Sequence, residues 1–363
     1  DTAGEYTNKG YIYKLACETQ YLEIEKPENY STEQVNKIVE TVQENASTEE
    51  KANADDNASE GTKTQIVPKN LIVIMNESLT DFESVGKIKT DVEILPYIRS
   101  LNKNVKHGQM HVPTFGAGTA RSEYEALTGN SMSFLPSGSV PYQLYVRDPE
   151  YGMADILKDQ GYYTIAMHPN KAHNWNRAAV YPEMGFDEFI SLENWGDEHR
   201  ELLRNYVSDK ATFEKIISLY EDKDKDEKLF TFCVTMQNHG GYSKDVEDFN
   251  ESIYLTDEMS QGTQVRAAEK YLTLIRESDQ AFKELVEYFE KQQEPTIILM
   301  FGDHQPSDYI TNVILRELGL DRDTDDDVYY NNYIVPYIMW SNYDMDTTQV
   351  ENVSLNYLGG MLM

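Results

Sequence analysis

The stretch Asn70-Leu71-Ile72-Val73-Ile74-Met75-Asn76-Glu77-Ser78 decides how the chain is read: five consecutive apolar residues end abruptly in a polar triplet. A run that is apolar at every position, rather than at alternate ones, predicts a strand buried on both faces. Similar runs return at Tyr162–Met167, Leu229–Met236, Thr296–Phe301 and Tyr333–Trp340. Helical spacing separates most of them, at Leu95–Leu101, Arg121–Leu127, Ala154–Lys158, Tyr206–Tyr220 and Val265–Lys291. This alternation predicts an α/β fold with a mostly parallel central sheet flanked by helices.

Upstream of Asn70 the pattern changes. Residues 1–30 mix tyrosines with charges and read as an arm. Ser31 and Gln34 open a capping-box pattern before Val35, Ile38, Val39 and Val42 recur at helical spacing. From Glu44 to Thr64 there is almost nothing to bury, the composition of a flexible acidic linker. The expected division is therefore 1–69, arm and linker, and 70–363, one large domain with a smaller C-terminal subdomain from about residue 310. The apolar tail Leu358–Met363 and the non-Met start lead us to expect a fragment of a longer protein, with any N-terminal membrane anchor missing.

The 363 residues are 40% hydrophobic, enough for a sizeable core. A net charge of −31, spread along the chain without Lys/Arg-rich runs, excludes a nucleic-acid-binding surface. No run of 18 apolar residues is present to span a bilayer. Two cysteines, Cys17 and Cys233, make no disulfide framework, and Cys233 reads as a buried thiol in a strand.

The chemistry collects where the strands end. Four runs terminate in Asn76-Glu77-Ser78, His168-Pro169-Asn170, Gln237-Asn238-His239 and Gly302-Asp303-His304. Parallel strands align their carboxyl ends on one edge, where open α/β sheets bind ligands. Glu77, His168, His239, Asp303 and His304 would converge there. Each alone has an ordinary loop or capping role; their joint recurrence at four strand ends carries the inference. Carboxylates with imidazole suit Mn²⁺, Mg²⁺ or Zn²⁺. A nucleophile is supplied by Gly116-Ala117-Gly118-Thr119, which runs into the helical pattern from Arg121. Thr119 fits two readings, an N-cap of that helix or a metal-activated nucleophile at a helix N-terminus.

The ordered set Asn76-Glu77-Ser78, Gly118-Thr119 with Glu123-Tyr124-Glu125-Ala126-Leu127-Thr128-Gly129, His168 with Asn174-Trp175-Asn176-Arg177, Gln237-Asn238-His239 and Phe301-Gly302-Asp303-His304 resembles the lipoteichoic acid synthase family. The resemblance spans about Asn70 to Asn342. It implies an alkaline phosphatase/sulfatase-like fold with one Mn²⁺ (Mg²⁺ or Zn²⁺ as substitutes) held by Glu77, Thr119, Asp303 and His304. It implies a head-group pocket of His168, Trp175, Arg177 and His239, with His239 also placed to protonate a leaving oxygen. Thr119 would take glycerophosphate from phosphatidylglycerol and pass it to a growing lipoteichoic-acid-type polymer. The location implied is the outer face of the membrane of a Gram-positive-type bacterium, on an enzyme anchored by transmembrane helices.

Two departures bear on substrate. Asn170 stands where better-known members carry Asp, which weakens a contact to glycerol hydroxyls. Ala120-Arg121 replaces a Ser-Asp pair after the nucleophile, so Arg121 brings positive charge towards the substrate. The sulfatase pattern of Cys or Ser followed by x-Pro-x-Arg is absent, which argues against sulfate-ester hydrolysis. Competing readings are a phosphodiesterase, a transferase of another phosphorylated head group, and a non-catalytic surface binding module.

Overall fold

The computed structural model describes Thr19, Ile24, Lys26 and residues 28–41, 66–247, 249–256, 262–321, 324–347 and 352–362. It divides into two units, residues 1–67 and 68–363. In the first, a helix over 32–41 begins where the Ser31 hydroxyl accepts the Gln34 N–H at 3.2 Å. The linker expected at 44–64 lies outside the described residues, as does most of the arm.

The second unit is built on an eight-stranded sheet in the order β10-β2-β9-β8-β1-β7-β3-β4. The strands are β1 (Asn70–Asn76), β2 (Val105–His111), β3 (Tyr162–His168), β4 (Glu188–Ser191), β7 (Lys228–Val234), β8 (Thr296–Gly302), β9 (Ile334–Ser341) and β10 (Asn352–Ser354). β5 (Leu202–Leu203) and β6 (Tyr206–Val207) form a separate hairpin. β8, β1, β7, β3 and β4 run parallel to one another, while β9 runs antiparallel to both β8 and β2.

The continuous apolar runs have the burial that their composition requires. Leu71, Val73 and Met75 face one side of the sheet, packing with Ala120, Tyr124 and Leu127. Ile72 and Ile74 face the other, with Tyr271, Leu274 and Phe282 of the long helix Thr263–Phe289. Each fully buried side chain of this size contributes about 1.5–3 kcal/mol through loss of apolar surface from water. Cys233 is buried and free, and burial pushes its thiol well up.

Two expectations about single elements need correction. Beyond residue 310, the described strands β9 and β10 belong to the main sheet. β9, mostly buried, needs neighbours on both edges and finds them inside the main sheet, while β10 pairs with β2. The helix expected over Tyr206–Tyr220 starts later, at Asp209, because Ser208 caps it by accepting the Ala211 N–H at 3.1 Å. Tyr206 and Val207 belong to β6 instead. Strand β2 was absent from the expected set, since its Lys106, His107 and Gln109 break the apolar pattern.

Candidate active site

β1 and β8 are adjacent, in register with Asn76 opposite Gly302, so the residues that follow each strand emerge side by side. Their close approach depends on Gly302, where an added Cβ would lie 2.1 Å from the Leu79 carbonyl oxygen. Ser78 sits in left-handed backbone, φ 53°, a conformation costly for a residue with a side chain. Two bonds hold it there: its N–H donates to Asp303 Oδ1 at 2.7 Å, and its carbonyl accepts from Tyr271 at 2.8 Å.

Glu77, Asp303 and His304 are all buried, with one ligand atom of each within 4.8 Å of the others. His304 Nε2 lies 3.2 Å from Asp303 Oδ2 and 3.9 Å from Glu77 Oε1. His304 Nδ1 is 2.8 Å from the Gln305 carbonyl, to which it donates, so Nε2 is the ring nitrogen turned to the carboxylates. Asp303 Oδ2 is buried without a hydrogen-bond partner. Burial, and then the Asp303 charge, push the Glu77 carboxyl well above its ordinary value. Two facing buried carboxylates, an unpartnered oxygen and an aimed imidazole fit a small divalent cation.

Thr119 opens the helix Thr119–Thr128 and lines the same cavity, but it does not cap that helix. Gly118 is the N-cap, at φ 99°, and an added Cβ there would meet Thr114 Oγ1 at 2.8 Å. The Thr119 hydroxyl makes no hydrogen bond to any described residue, which removes the capping reading. It stands at a helix N-terminus, where N–H groups favour negative charge.

The cavity, about 380 Å³, is also lined by His168, Asn170, Trp175, Arg177, His239 and Tyr242. His168 Nδ1 lies 3.0 Å from the Val234 carbonyl, and burial, then Arg177, holds its imidazole well below the ordinary value. Neutral His168 therefore turns Nε2 away from β7. Trp175 and Asn176 take successive left-handed conformations, φ 55° and 65°, at the cavity wall. The Asn170 side-chain oxygen accepts the Lys171 N–H at 2.8 Å.

Arg177 divides its donors unequally. Its Nε donates to both Glu123 oxygens, at 3.0 and 3.1 Å, and one terminal nitrogen also pairs with Glu123. The other terminal nitrogen reaches only the Asn174 carbonyl, at 3.5 Å, in a residue that lines the cavity. Tyr181 completes the buried cluster by donating to Glu123 at 2.6 Å.

Arg121 is not brought into the cavity. Its side chain donates to the carbonyls of Ser139 at 2.9 Å and Gly138 at 2.7 Å, and it lines a neighbouring groove behind Pro113–Phe115. It lies two residues beyond Thr119, about half a helical turn round, where the carbonyls of residues 138 and 139 hold it. Sequence reasoning also missed the support below the site. Asp209 Oδ2 accepts from Asn76 at 2.7 Å and Ser278 at 2.6 Å, and Asn238 donates to Asn76 at 3.0 Å. Gln237 and Asn238 thus brace the strand ends rather than face substrate. Asp209 gave no signal beyond its place after an N-cap serine.

The fold defines the class, an alkaline phosphatase/sulfatase-like protein, and the buried Glu77, Asp303 and His304 form a candidate metal site within it. A family model described as Sulfatase matches residues 69–360, and the chain belongs to that family. A "Putative cyclic beta-1,2-glucan modification protein" of Rhizobium meliloti (strain 1021) is 32% identical over 81% of this chain. "Lipoteichoic acid synthase 1" of Bacillus subtilis (strain 168) is 26% identical over 69% of it. The chain spans 45% and 38% of the length of these two relatives. Among solved structures, the Streptococcus pyogenes phosphoglycerol transferase GacH in complex with sn-glycerol-1-phosphate matches with a TM-score of 0.75 at 25% identity. That match covers 93% of this chain and 83% of GacH. Among the described residues, no helix is long and apolar enough to cross a membrane.

Proposed function

We propose that the chain is the catalytic domain of a phosphoglycerol transferase that takes glycerophosphate from phosphatidylglycerol through an ester on Thr119. The observation that carries this reading is the Thr119 hydroxyl: released from capping, at a helix N-terminus, in the cavity that Glu77 and His304 also line. Glu77, Thr119, Asp303 and His304 would hold Mn²⁺. When bound, such a cation would offset the carboxylate charge, favour the ionised Thr119 hydroxyl and stabilise charge on phosphoryl oxygens.

The chain's own groups account for the rest. The unpaired arm of Arg177 and Nε2 of His168 bind the phosphoryl and glycerol oxygens, and Trp175 walls the head group. His239 gives a proton to the departing diacylglycerol oxygen and later takes one from the acceptor hydroxyl. The acceptor is a hydroxyl on a surface polymer of the lipoteichoic acid type, reached at the outer face of the membrane. The name of the 32% identical relative favours a second reading, in which the acceptor hydroxyl belongs to a glucan.

The test is release of diacylglycerol from fluorescent phosphatidylglycerol with added Mn²⁺, comparing wild type with Thr119→Ala. Release by wild type alone supports donor and nucleophile together. Equal release by both proteins removes Thr119 from the mechanism, and release by neither removes the donor.

A further inference from the structure

The β5–β6 hairpin lies beside His239 and has no part in the chemistry derived so far. Its turn places Arg204 and Asn205 at φ 52° and 72°, the left-handed pair that a two-residue reversal between antiparallel strands requires. Tyr206 follows, with its phenol oxygen 3.2 Å from His239 Nδ1 and the two ring centroids 5.4 Å apart. Arg204, 5% exposed, lies over the Tyr242 ring at 5.0 Å. Its terminal nitrogens donate to the carbonyls of His239 at 3.4 Å and Gly240 at 3.3 Å. The hairpin therefore holds both the backbone and the ring of a histidine that otherwise stands exposed on a loop.

We propose that Tyr206 is a positioning residue that accepts the Nδ1–H of His239 and so turns Nε2 towards the reacting phosphorus. The proposal rests on the proton-transfer role given to His239 above. With Nδ1 occupied in both protonation states, Nε2 alone exchanges a proton with substrate, the division of labour that any oriented catalytic histidine needs. In the first half-reaction a bond forms between phosphorus and the Thr119 oxygen. The bond from phosphorus to the lipid alcohol oxygen breaks, and that oxygen takes the proton from Nε2. The Thr119 proton passes to solvent. In the second half the acceptor hydroxyl returns a proton to Nε2 as its oxygen bonds to phosphorus. The ester to Thr119 then breaks, and Thr119 regains a proton from solvent.

The experiment uses the full chain with Mn²⁺ and two donors. Fluorescent phosphatidylglycerol has an alkyl alcohol leaving group that needs a proton; the p-nitrophenyl phosphodiester of glycerol has one that departs without it. Tyr206→Phe keeps the ring packing, and an unchanged melting temperature checks its fold. The expected result is a kcat on phosphatidylglycerol lowered by about 10–100-fold with KM nearly constant, and a p-nitrophenolate burst within about twofold of wild type. Combining Tyr206→Phe with His239→Gln is expected to cost no more than His239→Gln alone. Equal losses on both donors, or additive losses in the double variant, would overturn the positioning role. A wild type that turns over neither donor would overturn the transfer reading itself, and this inference with it.

Discussion

Asp303 and Ser78 are joined by a 2.7 Å hydrogen bond from the Ser78 N–H to Oδ1, which leaves Oδ2 free to face His304 Nε2 at 3.2 Å. One carboxylate oxygen thus ties two strand ends together while the other is offered to the centre. The same geometry that stabilises the turn orients the ligand.

Asp303→Asn is expected to keep that turn, since an amide oxygen can still accept the Ser78 N–H, but to lose the cation. Wild type at about 100 times the dissociation constant of Mn²⁺ should gain about 2.7 kcal/mol of stability. Thermal melts with and without Mn²⁺ should show this gain in wild type and its absence in Asp303→Asn.

Breaking the Glu123–Arg177 pair should be costly, because both groups are buried and each would strand the other. Glu123→Ala is expected to destabilise by about 3–5 kcal/mol in urea unfolding. Phe at Tyr181 should cost less, about 1–3 kcal/mol, since it removes one donor and leaves the ion pair whole.

Gly302→Ala is expected to destabilise the protein by about 1–3 kcal/mol and to weaken Mn²⁺ binding. The added methyl has no room against the Leu79 carbonyl, and the strand end that carries Asp303 must move. Calorimetric titration with Mn²⁺ checks the second effect separately from the first.

His168 gives a pH dependence of defined sign. Burial and Arg177 hold its imidazole well below the ordinary value near 6.5, so in mild acid the unfolded chain binds a proton that the folded chain does not. Its contribution to stability is therefore fully present above about pH 6.5 and declines as pH falls below that value. Urea midpoints measured across pH 5–7.5 should fall on the acid side in wild type, and His168→Gln should flatten that slope.

Much of this architecture was legible because β1, β3, β7 and β8 are buried along nearly all of both faces and so carry few polar interruptions, Thr164 and Thr231 among them. Their termini then stood out as abrupt changes of chemistry, which singled out Glu77, His168, His239, Asp303 and His304, while Thr119 was read from its glycine-rich loop before a helix. What escaped depends on partners distant in sequence. β2 is half-buried and defined by its pairing with β9, and the reversed direction of β9 leaves no local trace. The side-chain direction of Arg121 is set by two backbone carbonyls, which residue identity does not encode. The roles of Asp209 and Ser278 come from packing the Asp209–Asp222 and Thr263–Phe289 helices beneath the site.

The register of β1 against β8 also dictates when the protein can become active during its synthesis. Ser78 and Asp303, which must meet for the centre to exist, are 225 positions apart in the chain. A nascent chain exposes Glu77 and Thr119 early, yet the candidate cation site of Glu77, Asp303 and His304 does not exist until β8 has emerged and paired. Such a long closure is slow, and it makes assembly of the centre a late event in folding. Under the proposed function, an incomplete chain would carry Thr119 without the cation site that would activate it, and would act on no donor until the sheet closes.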